Sequence, residues 1–102
     1  MEKKNNLLAE VMNYLEETIE ARSTSLDDTY TSNLLKKSIA RVSQKVGEEA
    51  IEVVIAANLK DKQQIISESA DLLFHLMVLW RKLKVKEQDI AQELLRRKNE
   101  QK

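Results

Sequence analysis

The chain has 102 residues, one domain's length, and its seventeen basic side chains balance seventeen acidic ones, which gives no general hold on nucleic acid or an anionic membrane. It has no cysteine, which excludes disulfides and thiolate metal centres, and no proline, with Gly47 its single glycine. Sandwiches and barrels lean on glycine and proline for their turns, so the composition predicts one all-α domain over residues 1–102. The first predicted helix runs from about Asn6 to Arg22, with Leu7, Leu8, Val11, Tyr14, Leu15 and Ile19 on a broad stripe. Ser23 to Thr29 read as a polar loop.

The second helix is expected from near Thr31 to about Asn58, its apolar positions including Leu34, Leu35, Ile39, Val42, Val46, Ala50, Val53, Val54 and Ala57. Asn58 to Lys60 make the next connection, and Asp61 with Gln64 has capping-box spacing. A third helix should run to about Leu83, strongly apolar from Ala70 onward. After a link at Lys84 and Val85, a fourth helix carries Ile90, Leu94 and Leu95, with Arg96 to Lys102 as a frayed tail. The expectation is a four-helix, bundle-like subunit. Met1 is followed by Glu2-Lys3-Lys4 without the apolar core of a signal peptide. The longest nearly uncharged apolar stretch, Leu72 to Trp80, is about half the ~20 residues that span a bilayer. A cytoplasmic protein with no membrane partner is expected.

The chemistry lies in the acids. At about 100° per residue, Glu48, Glu52 and Glu49 fall at about 0°, 40° and 100° on one helix face. Glu68 and Asp71, an i,i+3 pair, share a face of the next helix. Fifteen residues separate Glu52 from Glu68, enough for a turn and an antiparallel return that unites the two faces. Five carboxylates in one place repel unless a cation neutralises them. Oxygen donors without His or Cys select Mg²⁺, or Mn²⁺, over zinc, and the absence of a Glu-x-x-His pair argues against a di-iron site. The plainer reading, a solvated acidic face, covers any single pair. It fits the whole set less well, because Glu48, Glu49 and Glu52 interrupt an otherwise apolar run and Glu68 and Asp71 open the most hydrophobic segment.

Glu48-Glu49-x-x-Glu52, fifteen residues, then Glu68-x-x-Asp71 resembles the motif of the MazG-type all-α nucleotide pyrophosphohydrolases. Asp28-Thr-Tyr-Thr-Ser-Asn-Leu-Leu, Gln44-Lys-Val-Gly-Glu-Glu-Ala-Ile-Glu-Val-Val-Ile-Ala-Ala57 and Glu68-Ser-Ala-Asp-Leu-Leu-Phe-His-Leu-Met-Val-Leu79 are similar to the phosphoribosyl-ATP pyrophosphatase family of histidine biosynthesis. The resemblance covers roughly Leu7 to Arg97. It implies Mg²⁺-dependent hydrolysis of phosphoribosyl-ATP to phosphoribosyl-AMP and pyrophosphate by a homodimer. In some organisms the activity is fused to the cyclohydrolase that follows it, and the length here implies the stand-alone form. The family often has a glycine in the linker before the acidic helix, where this chain reads Lys36-Lys37-Ser38-Ile39.

With no serine–histidine or cysteine nucleophile assembled, water must attack directly. Glu49, Glu52, Glu68 and Asp71 are assigned as metal ligands, as two i,i+3 pairs. A carboxylate free of the metal, Glu48 or Glu49, takes the proton as general base, and Glu48 has the alternative of holding a further metal ion. Lys45, one turn before the acids, is the foremost phosphate contact, with Arg41 and Lys37 behind it, although each also reads as a solvated helix charge. His75, one turn after Asp71, could order a metal ligand or touch substrate, against the plainer role of a satisfied core histidine. Thr29, Tyr30 and Thr31 could offer hydroxyls to a ribose or phosphate, while an N-cap explains Thr31 equally well. Gly47 costs a helix about 1 kcal/mol relative to alanine, which a close helix crossing would offset. Trp80 and Phe74 are expected in the core or a dimer interface, since the apolar run Leu72 to Trp80 exceeds what three partner helices can cover. Two rival functions remain: a house-cleaning hydrolase of deoxynucleoside triphosphates from the same superfamily, and a non-catalytic helical interaction module.

Overall fold

The computed structural model describes residues 7–100, which form five helices and no strand. These are α1 (Leu7–Ser23), α2 (Tyr30–Leu35), α3 (Ile39–Leu59), α4 (Lys62–Lys82) and α5 (Glu87–Glu100). The expected start of the first helix at Asn6 lies outside the described residues. The loop after α1 satisfies itself as its composition suggests. Asp27 N–H donates to Ser25 Oγ at 2.9 Å, and Asn33 Nδ2 donates to Asp28 Oδ1 at 2.6 Å.

The expected single helix from Thr31 to Asn58 is two helices. Thr29, not Thr31, caps α2, its Oγ1 accepting from Ser32 N–H while Ser32 Oγ accepts from Thr29 N–H. The break falls at Lys36–Ser38, where Ser38 is extended (ψ 160°) and its hydroxyl accepts the Arg41 N–H to start α3. Apolar spacing runs through the break, since Leu34 and Val42 both reach the core, so periodicity alone could not place it. None of the linker residues has a positive φ, so this turn needs no glycine.

α3 and α4 have equal lengths, 21 residues each, and pack as an antiparallel hairpin closed by Lys60 and Asp61. Lys60 sits in the left-handed region (φ 58°), and Asp61 accepts the Gln64 N–H as N-cap. Lys84 (φ 61°) closes α4 in the same way. Both are glycine's usual positions. In α5, Arg96 to Glu100 are helical, with Arg96 donating to Glu93 and Glu100. Gln101 and Lys102 lie outside the described residues.

The core is small. Ile19 of α1, Leu34 of α2, Val42 of α3 and Met77 and Val78 of α4 are buried together, with Met12, Leu15, Leu73, Phe74 and Trp80 packed around them. Against expectation, the apolar run Leu72 to Trp80 is buried or half-buried within the single chain. The bare apolar surface lies elsewhere, on the first turns of α1 (Leu7, Leu8, Val11, Tyr14) and on α3 (Ile51, Val54, Ile55, Leu59). Beyond Val42, α3 has α4 as its main neighbour, so the distal hairpin projects from the core with one side uncovered. No described helix is long and apolar enough to cross a membrane.

Candidate active site

The hairpin seam places the acids. On α3 the packed positions Val42, Val46, Glu49, Val53 and Ala56 follow a 4-3-4-3 spacing, and on α4 Ile65, Glu68, Leu72, His75 and Leu79 follow 3-4-3-4. That is the heptad pattern of two helices packing side by side. Apart from His75, the other seam positions are aliphatic, and Glu49 and Glu68 place two carboxylates among them. They lie midway along the hairpin, Glu49 being about 10 Å from Val42 at 1.5 Å per residue.

Carboxylate oxygens of Glu49, Glu68 and Asp71 lie within 4.8 Å of one another. Glu49's side chain is only 13% exposed. The pKa of Glu68 is raised above the ordinary 4.5, first by partial desolvation and then by the charges of Asp71, Glu52 and Glu49. Glu52 is thus the fourth charge acting on the cluster, although its oxygens are not in the tight group. The donors are all hard oxygens, and the repulsion among them is what a divalent cation removes, so the residues fit Mg²⁺. Glu48 departs from the others. It accepts from Gln44 Nε2 at 3.2 Å and sits 3.8 Å from Lys45 Nζ. Lys45 Nζ is also 3.6 Å from Glu49, so it bridges the acid cluster to its neighbour.

Glu48 and Lys45 belong to a cleft of about 210 Å³ completed by Tyr30, Asn33, Leu34, Lys37 and Arg41. The three basic residues singled out in the sequence, Lys37, Arg41 and Lys45, thus line one cleft. Lys37 and Arg41 have no carboxylate at ion-pair distance among the described residues. A larger cleft of about 510 Å³ lies by the C-terminal half of α4, around Trp80, Arg81 and Glu20, and holds none of these acids.

Thr31 is half-buried in the first turn of α2 and does not line the cleft. His75 is 6% exposed with both ring nitrogens engaged: Nε2 is 2.8 Å from the Tyr30 phenol and Nδ1 is 2.7 Å from the Asp71 backbone oxygen. It faces neither the cleft nor a carboxylate, as the core-histidine reading requires. The sequence missed Asn33 and the Tyr30–His75 bond, which joins residues 45 positions apart and leaves no trace in local spacing. Gly47 has no neighbour within 4 Å of where a Cβ would stand, so no close helix crossing within the subunit accounts for it.

The sequence pattern of phosphoribosyl-ATP pyrophosphohydrolase matches residues 12–98. The chain belongs to that family. Members of the phosphoribosyl-ATP pyrophosphohydrolase family are hydrolases, and this chain is an enzyme of that kind, which sets aside the non-catalytic interaction module. A phosphoribosyl-ATP pyrophosphatase of Zymomonas mobilis is 51% identical over 71 residues, 69% of this chain and 66% of that one. One from Azospirillum brasilense is 47% identical over 78 residues, 76% of this chain and 70% of that one. A histidine biosynthesis bifunctional protein of Buchnera aphidicola is 52% identical over 66 residues, 64% of this chain and 31% of that one. The matched stretch thus spans about two thirds of the two pyrophosphatases and under a third of the bifunctional protein.

Proposed function

We propose that this chain hydrolyses phosphoribosyl-ATP to phosphoribosyl-AMP and pyrophosphate, in histidine biosynthesis, as a Mg²⁺-dependent homodimer of the cytoplasm. The observation that carries the reading is the pair of carboxylates, Glu49 and Glu68, built into an apolar seam with Asp71 beside them and a basic cleft alongside. Substrate and pathway come from the names of the relatives.

Glu49, Glu68 and Asp71, with Glu52 next to them, would hold Mg²⁺. When bound, the ion supplies Lewis-acid polarisation of a phosphoryl oxygen and a more acidic water. Lys37, Arg41 and Lys45 bind the polyphosphate and steady the charge on the leaving pyrophosphate. Glu48 is the general base, because it faces the cleft and stands apart from the tight acid group. Lys45 Nζ, 3.8 Å from Glu48 and 3.6 Å from Glu49, stands between that base and the metal-holding acids, and Glu48 accepts the proton of the attacking water. The bare apolar face of α3 supports the dimer, since Ile51, Val54, Ile55 and Leu59 flank the acids on the same helix.

Release of pyrophosphate from phosphoribosyl-ATP, dUTP and dCTP, each with and without Mg²⁺, tests the reading. Phosphoribosyl-ATP should be preferred by at least about a hundredfold in kcat/KM. A preference for dUTP or dCTP would reassign the enzyme to the deoxynucleotide hydrolases. Release that persists in excess EDTA would remove the metal.

A further inference from the structure

The Tyr30–His75 bond has a fixed polarity. The Asp71 backbone oxygen, 2.7 Å from His75 Nδ1, can only accept, so Nδ1 carries the ring proton. In the neutral ring the lone pair then lies on Nε2. The Tyr30 oxygen, 2.8 Å away, therefore donates its one proton to His75. His75 is buried and held edge-on by Phe74 as well as Tyr30, with centroids 5.2 and 5.9 Å away. Tyr30 itself is 56% exposed and lines the cleft together with Lys37, Arg41 and Lys45.

We propose that Tyr30 reads a ribose hydroxyl of the substrate, its phenol oxygen offering the cleft only lone pairs. This rests on the hydrolase reading above and adds a specificity determinant to it. Phosphate oxygens are acceptors and gain nothing from an oxygen whose proton is committed, whereas Lys37, Arg41 and Lys45 can only donate. The cleft thus pairs donors for phosphate with one acceptor for a neighbouring donor group. In a nucleoside polyphosphate the nearest donors to the phosphates are sugar hydroxyls, with a base amino group farther off. His75 is a positioning residue that acts through Tyr30 by holding its proton.

The test is steady-state pyrophosphate release from phosphoribosyl-ATP by the wild type, Tyr30→Phe, His75→Phe and the double variant. Competitive inhibition by ATP, 2′-deoxy-ATP, 3′-deoxy-ATP, ITP and pyrophosphate is measured on each. Tyr30→Phe should raise KM roughly tenfold, the worth of about one hydrogen bond, with kcat within about twofold. His75→Phe frees the phenol proton to point at the substrate and should raise KM similarly, and the double variant should be no worse than either single one. One deoxy analogue should bind wild type and Tyr30→Phe equally, while pyrophosphate inhibition stays unchanged in all variants. An unchanged KM in Tyr30→Phe, additive effects in the double variant, or ITP as the analogue that erases the difference would overturn the assignment. Wild-type protein inactive on phosphoribosyl-ATP would instead overturn the function on which it rests. The inhibitor series, followed by calorimetric binding, would then still decide Tyr30.

Discussion

Glu49 and Glu68 occupy positions that hairpin packing reserves for apolar side chains, and each tolerates its place only with countercharge. Lys45 supplies part of it for Glu49. Glu52→Gln and Asp71→Asn are expected to remove nearly all turnover while leaving the helical circular dichroism intact. Each should leave the metal-free protein as stable as before or more so, since a like charge has gone from beside Glu68; wild-type turnover in either would reduce the cluster to a solvated face. The raised pKa of Glu68 has a defined sign. The folded chain binds that proton more tightly than the unfolded chain, whose carboxyl titrates near 4.5. Stability is therefore lost as pH rises through the raised value and regained as it falls back toward 4.5. Glu87, raised by burial and by Glu16, adds in the same direction. Glu93 opposes both only below 4.5, where Arg96 and Arg97 hold it down to about 2. In EDTA, urea midpoints should rise between pH 7.5 and 5, and Glu68→Gln should remove part of that rise. An unchanged profile in that variant would show that Glu68 is not strained. The phase of the five acids was legible because i,i+3 and i,i+4 spacing is local. The turn of Glu48 toward Gln44 and Lys45 was not, because rotamers and partners are chosen by surroundings.

At the level of elements, the scarcity of glycine has left lysine at two left-handed helix ends. A non-glycine residue there costs about 1–2 kcal/mol, so Lys60→Gly and Lys84→Gly should each stabilise the fold by about 0.5–1 kcal/mol after the entropy of glycine is deducted. Urea unfolding measures this, and a loss of stability would mean that the lysine side chains contribute more than their backbone strain. Gly47→Ala should add about 1 kcal/mol of helix stability, because no atom stands within 4 Å of the new methyl. If stability rises while pyrophosphate release falls, substrate or a second copy approaches the helix at Gly47. The Lys36–Ser38 break shows the limit of periodicity: an N-cap serine ends one helix and starts another without disturbing the apolar register on either side.

For the whole molecule, the projecting α3–α4 hairpin is the face on which a homodimer is expected to form. A two-helix hairpin with Ile51, Val54, Ile55, Leu59 and Ile66 exposed lacks the cover that an apolar face needs. A two-fold partner laid on it would bring two equivalent acid clusters to one interface. Sedimentation equilibrium at micromolar concentration should give twice the chain mass of 11.8 kDa. Ile55→Asp should shift it to the monomer and reduce activity together. A fully active monomer would show that the bare face serves another purpose. Mg²⁺ should raise the melting temperature by mass action on the folded state, and Asp71→Asn should lose most of that rise.

By itself the sequence determined the all-α class, the helix phases and the grouping of the acids on two facing helices. Each of these depends on spacings of three or four residues, and helical geometry converts such spacings directly into shared faces. Only the tertiary structure decided which apolar faces were covered, that Glu48 left the acid group for the basic cleft, and that His75 was held by Tyr30. Those outcomes depend on contacts between residues far apart in the chain. Helix crossings and local capping choices set those contacts, and no periodicity encodes them.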